Sequence, residues 1–206
     1  MLTSRSGDPP RPQPRPQLRP PAQPPRELVL LTSAWALAYA AYRGYYALGG
    51  TAGLFGRPVS ESQFQVINAA GAGIILVAAV LPWLVMLSAR FRRITPALGW
   101  VVAVGCCMHA LVDATLRVLS LTGVHPTQLP SSFWASYDRH SADLQDLFLN
   151  EPWFFVQGLL WAAVALHVVR RSRRRAWLVS ASAATAALTA LGILSGLDKI
   201  GSFTVL

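Results

Sequence analysis

His109, Asp113 and Arg117 stand four residues apart in CCMHALVDATLRVLSLTG, residues 106–123. On a helix that spacing stacks side chains along one face, so the three groups form one polar stripe in an apolar segment. His109 and Asp113 could make a metal or proton site with His140 if the loop that carries His140 folds over this helix. An acid four residues ahead of an arginine is the favourable order for an ion pair within a helix. Which chemistry applies depends on the medium around the stripe.

The composition defines that medium. The chain has 206 residues, is 53% hydrophobic and only 13% charged, and has a mean hydropathy of +0.40. These values exclude an ordinary soluble domain and point to a helical membrane protein. Five apolar runs, near residues 28–48, 66–89, 97–121, 153–169 and 176–195, approach the length of about 20 residues that crosses a hydrocarbon core of ~30 Å. The expected fold is all-α, a polytopic bundle of about five spans over residues 27–206. Ser60 and Gln63 have capping-box spacing and start the second helix outside the membrane. Thr95 and Pro96 read as an N-cap and first helical residue of the third, and Pro152 and the Arg170 cluster bound the fourth.

The net charge of +9 raises the question of nucleic acid, but the arginines lie in short clusters between apolar runs. Thirteen basic residues fall in the N-terminal tail, at Arg90, Arg92 and Arg93, and at Arg170–Arg175, all on one side of a five-span chain. Only Arg57, Arg139 and Lys199 fall on the other. The positive-inside rule gives a plasma-membrane protein with a cytoplasmic N-terminus and an external C-terminus. The tail, residues 1–26, is rich in proline and arginine and should be an extended, disordered cytoplasmic arm. Anionic headgroups are the partners expected for this tail and the basic loops. The first apolar run is too long for a cleavable signal peptide and reads as a retained anchor.

Depth places the stripe. Counted from Pro96 at about 1.5 Å per residue, His109 lies about 20 Å and Asp113 about 26 Å from the cytoplasmic edge, with Arg117 near the outer interface. Arg43 reaches about 22 to 24 Å along helix one, so Arg43 and Asp113 are expected to pair, with Arg117 as the competing partner. The alternative is that both arginines snorkel to the outer headgroups while Asp113 joins helices.

The outer loop adds candidates. In SSFWASYDRHSADLQDLFLNE, Phe133, Trp134, Tyr137, Leu144, Leu147 and Phe148 share one helical face, with Arg139, Asp143 and Asp146 opposite. This pattern predicts an amphipathic helix over residues 131–150 lying on the outer surface, aromatics down. His140 would then point toward what the aromatics cover, and Gln157, in the outer third of helix four, could hydrogen-bond into the cluster. His167 falls near the cytoplasmic end of the same helix and stays outside the site. No standard metal spacing links these residues, so neither a metal nor a cofactor is expected from the sequence. Adjacent Cys106 and Cys107 read as small packing residues rather than a redox pair. Ser182, Ala186 and Ala190 form a small-residue row expected to pack on another helix, and Pro82 should bend helix two.

YYALGGTAGLFG, residues 45–56, and LFLNEPWFFVQGLLWAAVALHVVRR, residues 147–171, resemble the end of helix one and the start of helix four in a family of small bacterial membrane proteins known only as a domain of unknown function. The chain departs from that pattern in having Tyr46 where tryptophan is usual and in its proline-rich tail. The resemblance implies a helical integral membrane protein and supplies no activity. A His-x-x-x-acid pair such as His109 and Asp113 is also similar to that of sterol-isomerase-like membrane proteins, which implies carboxylate chemistry on a lipid. The sequence thus reads as a non-enzymatic membrane protein whose outer-half cluster of Arg43, His109, Asp113, Arg117, His140 and Gln157 locks the bundle or binds a small polar or amphipathic ligand. A proton-coupled transporter component and a lipid-modifying enzyme are the alternatives.

Overall fold

The computed structural model describes residues 22–200. The tail expected over residues 1–26 falls largely outside the described residues, as do residues 201–206. The elements are α1 (Arg26–Ala47), β1 (Gly56–Pro58), α2 (Glu61–Leu87), α3 (Ala89–Leu121), β2 (Trp134–Tyr137), α4 (Arg139–Gln145), a π-helical turn (Asp146–Asn150), α5 (Glu151–Val168) and α6 (Arg171–Gly196). Three of them, α2, α3 and α6, are long and apolar enough to cross a membrane.

The helices that meet this criterion are the ones with most surface to cover. On α2, Val66, Ile74 and Val77 are exposed, and none of the most apolar stretch of α6 is buried. Such surfaces suit hydrocarbon and would be an association liability in water. By contrast, α5 carries Glu151, Gln157 and His167, and packs between α3 and α1 with Trp161, Val164 and Ala165 fully buried. Phe155 and Leu159 remain on its exposed side.

On α1, Val29, Thr32, Ser33, Ala36, Tyr39 and Ala40 recur every three or four residues and form its buried face. Where α1 meets α5, the Trp35 indole donates to the Trp153 carbonyl (3.1 Å) and the Trp153 indole to the Trp35 carbonyl (3.0 Å). Tyr39 stacks on Trp153 with ring centroids 4.1 Å apart. Glycines set the contact of α3 with α5: a Cβ on Gly99 would stand 2.6 Å from that of Ala165, and one on Gly158 2.7 Å from Cys107 Sγ. Cys106 and Cys107 are free thiols, half-buried, in the packing role expected of them.

Several boundaries differ from expectation. Ser60 does cap α2, accepting from the Gln63 amide (3.3 Å), and α2 runs unbroken through a buried Pro82. The third helix, however, starts at Ala89 rather than Pro96, because the break is the extended Ser88. Thr95 is inside the helix, its hydroxyl turned back to the Phe91 carbonyl (2.7 Å), a use of threonine that competes with capping. The row of Ser182, Ala186 and Ala190 is exposed. The close approach of α6 to α3 is made instead by Gly192 and Gly196, against Val112 and Leu116.

The largest correction concerns the outer loop. Residues 131–150 do not form one helix: Trp134–Tyr137 is a strand, paired antiparallel with Gly56–Pro58 across a bulge at Arg57 and Pro58. A Cβ on Gly56 would lie 2.7 Å from the Ser136 carbonyl, so the pairing needs glycine there. Trp134 is buried against Phe55 and Phe64, at 4.7 and 5.9 Å. Phe133 and Trp134, expected to face the membrane, thus cover the joint between two loops, while Phe148 is exposed. Helix α4 starts only after Asp138, whose carboxylate accepts from the His140 amide (3.0 Å) and the Ser141 hydroxyl (2.7 Å). The Ser141 hydrogen bond holds the Asp138 carboxyl below its usual range. From there the chain passes through the π turn straight into α5, with Pro152 as the second residue of α5.

Candidate functional site

The C-terminal half of α3 presents His109, Asp113 and Arg117 in the stripe that their spacing requires. Facing it are the π turn and the first residue of α5. A π turn accommodates one more residue than an α turn and so rotates the chain beyond it; Asp143 and Asp146 meet Arg117 of α3, Asn150 reaches Tyr39 of α1, and Glu151 comes within 3.9 Å of His109. The polar groups then fall into two layers of different character.

The outer layer is ion-paired, with Arg117 Nε and Asp143 Oδ1 buried and not hydrogen-bonded. Arg117 Nη2 lies 2.9 Å from Asp146 Oδ2, and its Nη1 lies 3.6 Å from Asp143 Oδ1 and donates to Thr127 Oγ1 (3.0 Å). Asp143 is fully buried and also accepts from the Ser120 hydroxyl, which in turn accepts from the Thr127 amide (2.9 Å). Asn150 donates to Asp146 (2.6 Å) and accepts from the Tyr39 hydroxyl (2.9 Å). A continuous chain of charge-assisted and neutral hydrogen bonds therefore ties α3 through the π turn to α1.

The inner layer is open. His109 Nε2 stands 3.4 Å from Asp113 Oδ2 and 3.9 Å from Glu151 Oε2, and the three donor atoms all lie within 4.8 Å of one another. Neither contact forms a hydrogen bond by geometry, and Glu151 Oε2 is buried with no hydrogen-bond partner. The His109 side chain is 44% accessible and Asp113 27%, against 5% for Glu151. Phe154 meets the imidazole edge to face at 4.6 Å and fixes its orientation. One nitrogen and two carboxylate oxygens, converging from two helices and approachable from one side, are arranged to hold a cation.

Of the six residues expected to cluster, the structure brings His109 and Asp113 together and places Arg117 one turn outward in the lock. Arg43 does not pair with Asp113. Its guanidinium lies against Gly71 of α2, where a Cβ would stand 3.2 Å from Arg43 Nε. Equal depth does not fix azimuth: α1 packs on α2 and α5, and the Arg43 face turns to α2. His140 is exposed in the first turn of α4 and outside the converged set. Gln157 is buried two turns into α5, with neither end of its amide hydrogen-bonded. His167 binds its ring Nδ1 to the Ala163 carbonyl (2.9 Å), away from the site as expected.

Sequence reasoning missed Glu151, Asp143, Asp146 and Asn150. Their signal was present, since positions 143, 146, 150 and 151 share a helical face. The aromatics opposite mask it, because they make that face read as the solvent side. No protein-family model matches the chain, and neither the curated proteins nor the solved structures contain a significant match. The functional reading therefore rests on the residues themselves.

Proposed function

We propose that the chain is a five-span plasma-membrane protein, N-terminus cytoplasmic, that captures a small cation in its outer half at His109, Asp113 and Glu151. The observation that carries this reading is the contrast between the two layers. Around Arg117 each carboxylate has the guanidinium as counter-charge within 4 Å, so that Asp143 Oδ1, although buried without a hydrogen bond, lies in an ion pair. The inner layer instead leaves a buried carboxylate oxygen with neither a hydrogen bond nor, among the described residues, an arginine or lysine within 4 Å, facing two accessible ligand groups. A buried acceptor left that way costs about 1–3 kcal/mol, a penalty that a bound cation removes.

A divalent transition ion fits the donor set. Ligands about 2.0–2.2 Å from a tetrahedral ion stand roughly 3.4 Å apart, close to the His109–Asp113 distance of 3.4 Å and within a small side-chain adjustment of the other pairs. Three protein ligands leave a fourth position open. Titrating Co²⁺ into the full chain, purified in detergent without a polyhistidine tag, should give a visible d–d absorption that saturates at one ion per chain. Glu151→Gln and Asp113→Asn should each weaken it by at least about tenfold. No absorption, or an unchanged titration in Glu151→Gln, refutes the cation site.

The five-span reading is supported by length. At about 1.5 Å per residue the 22 residues of α1 and the 18 of α5 reach about 33 and 27 Å, against a core of ~30 Å. Its orientation is supported by the gathering of Ala22, the α2–α3 junction and the α5–α6 junction at one end of the bundle, where the basic residues concentrate. In a Cys106→Ala/Cys107→Ala background, Ser172→Cys should be shielded from an impermeant thiol reagent in intact cells, and Ser136→Cys should react. The reverse pattern inverts the topology, and labelling of both or neither removes it.

A further inference from the structure

The end of the bundle opposite the cation site holds a cleft of about 1690 Å³ between the start of α3, the end of α5 and the start of α6. Six arginines line it, Arg92 and Arg93 from α3 and Arg170, Arg171, Arg173 and Arg174 from the α5–α6 junction, and no acidic side chain among the described residues does. We infer that this cleft is a specific site for the phosphate of an anionic phospholipid.

Snorkelling arginines are mobile and exposed, but Arg92 is neither. It is 9% exposed, and its Nη1 donates to the Met86 carbonyl (2.9 Å) and the Val85 carbonyl (3.4 Å) at the end of α2. Its Nε is buried without a hydrogen-bond partner, and the guanidinium so fixed lines the cleft. Arg174 is likewise held, its Nε donating to the Val169 carbonyl (3.3 Å). Helix α6 begins at this cleft with no side-chain N-cap, which adds its N-terminal dipole to the positive field.

The cleft is larger than the roughly 300–1,000 Å³ typical of small-molecule sites, more than a phosphate alone requires. Its apolar wall supplies the reason: Val168, Pro96 and Trp177 line it, and the Trp177 N–H is already committed to the Pro96 carbonyl (2.8 Å), so the indole offers its apolar faces. Charge above and hydrocarbon below match a headgroup with its glycerol and upper acyl chains. The chain's own tail is no complementary occupant, because Arg5, Arg11, Arg15 and Arg19 give it the same sign. The inference is independent of the cation site at the other end.

The test uses the full chain in neutral detergent, with lipid binding counted by native mass spectrometry and affinity taken from titration. Phosphatidylglycerol should be retained in preference to phosphatidylcholine. Arg93→Gln/Arg173→Gln, at two exposed positions, should weaken phosphatidylglycerol binding on the order of tenfold. Arg57→Gln/Arg139→Gln removes the same charge from the other end and should leave it unchanged. Equal retention of the two lipids, equal losses in the two double variants, or displacement of the lipid by millimolar inorganic phosphate overturns the proposal, the last by making free phosphate the occupant.

Discussion

Arg117→Gln should cost about 3–5 kcal/mol of stability, because it strands Asp143 in the interior without its counter-charge. Asp143 is fully buried and Arg117 only 15% accessible, so neither carboxylate nor solvent can rearrange cheaply to compensate. The same change removes the contacts to Asp146 and Thr127, and with them the link between α3 and the π turn. Arg117→Lys keeps the charge but not the fork that reaches three partners at once, and should fall between wild type and Arg117→Gln. Arg117→Gln/Asp143→Asn removes both charges and should recover part of the loss, which a double-mutant cycle reads as coupling. Denaturant unfolding in mixed micelles measures all of these. A loss below about 1 kcal/mol in Arg117→Gln, the range of an exposed ion pair, would show that the outer layer is not a lock. His109→Gln one turn inward separates the two layers from the other side: it should leave the unfolding midpoint nearly unchanged while removing cobalt binding.

That separation was half visible in the sequence. The stripe itself was legible, because a spacing of four on any helix aligns side chains. So were the ends of α1 and α5, where apolar runs meet Leu48-Gly49 and Arg170. What the stripe faces was not legible, since partners of a membrane helix are set by rotation about its axis and depth counting is blind to rotation. Arg43 has the right depth for Asp113 and points to Gly71 instead. The outer loop failed for a related reason. Trp134 is buried against Phe55 and Phe64, some seventy residues earlier, and no local periodicity reports a strand whose partner lies that far away. A helix with Trp134 and Tyr137 on one face puts Asp143 on the solvent side, although it is among the most buried of the described residues. The local signal that would have corrected this was Asp138, a capping residue that allows no helix before it.

The cation site also depends on two positions that touch no ligand. His109 and Asp113 are carried by α3 and Glu151 by α5, so the spacing of the ligand atoms is set where these helices cross. At that crossing a methyl on Gly158 would stand 2.7 Å from Cys107 Sγ and 3.2 Å from the Ala103 carbonyl and from Cys106 Cβ. Gly158→Ala should therefore push the helices apart and lower stability by about 1–3 kcal/mol, the usual cost of overpacking. Of the three contacts, only that with the thiol is severe, and it can be removed. Gly158→Ala/Cys107→Ala replaces the sulfur by hydrogen and should recover most of the stability and the cobalt affinity, although Cys107→Ala alone should lose a little of the former by opening a void. The expected sign of the coupling is thus positive, a larger residue tolerated only beside a smaller one. If the double variant is no more stable than Gly158→Ala, the clash with Cys107 is not what limits the approach of α3 to α5. If stability returns but cobalt binding does not, the ligand spacing is not set by this crossing, and the two halves of the site must be positioned by the Arg117 network alone.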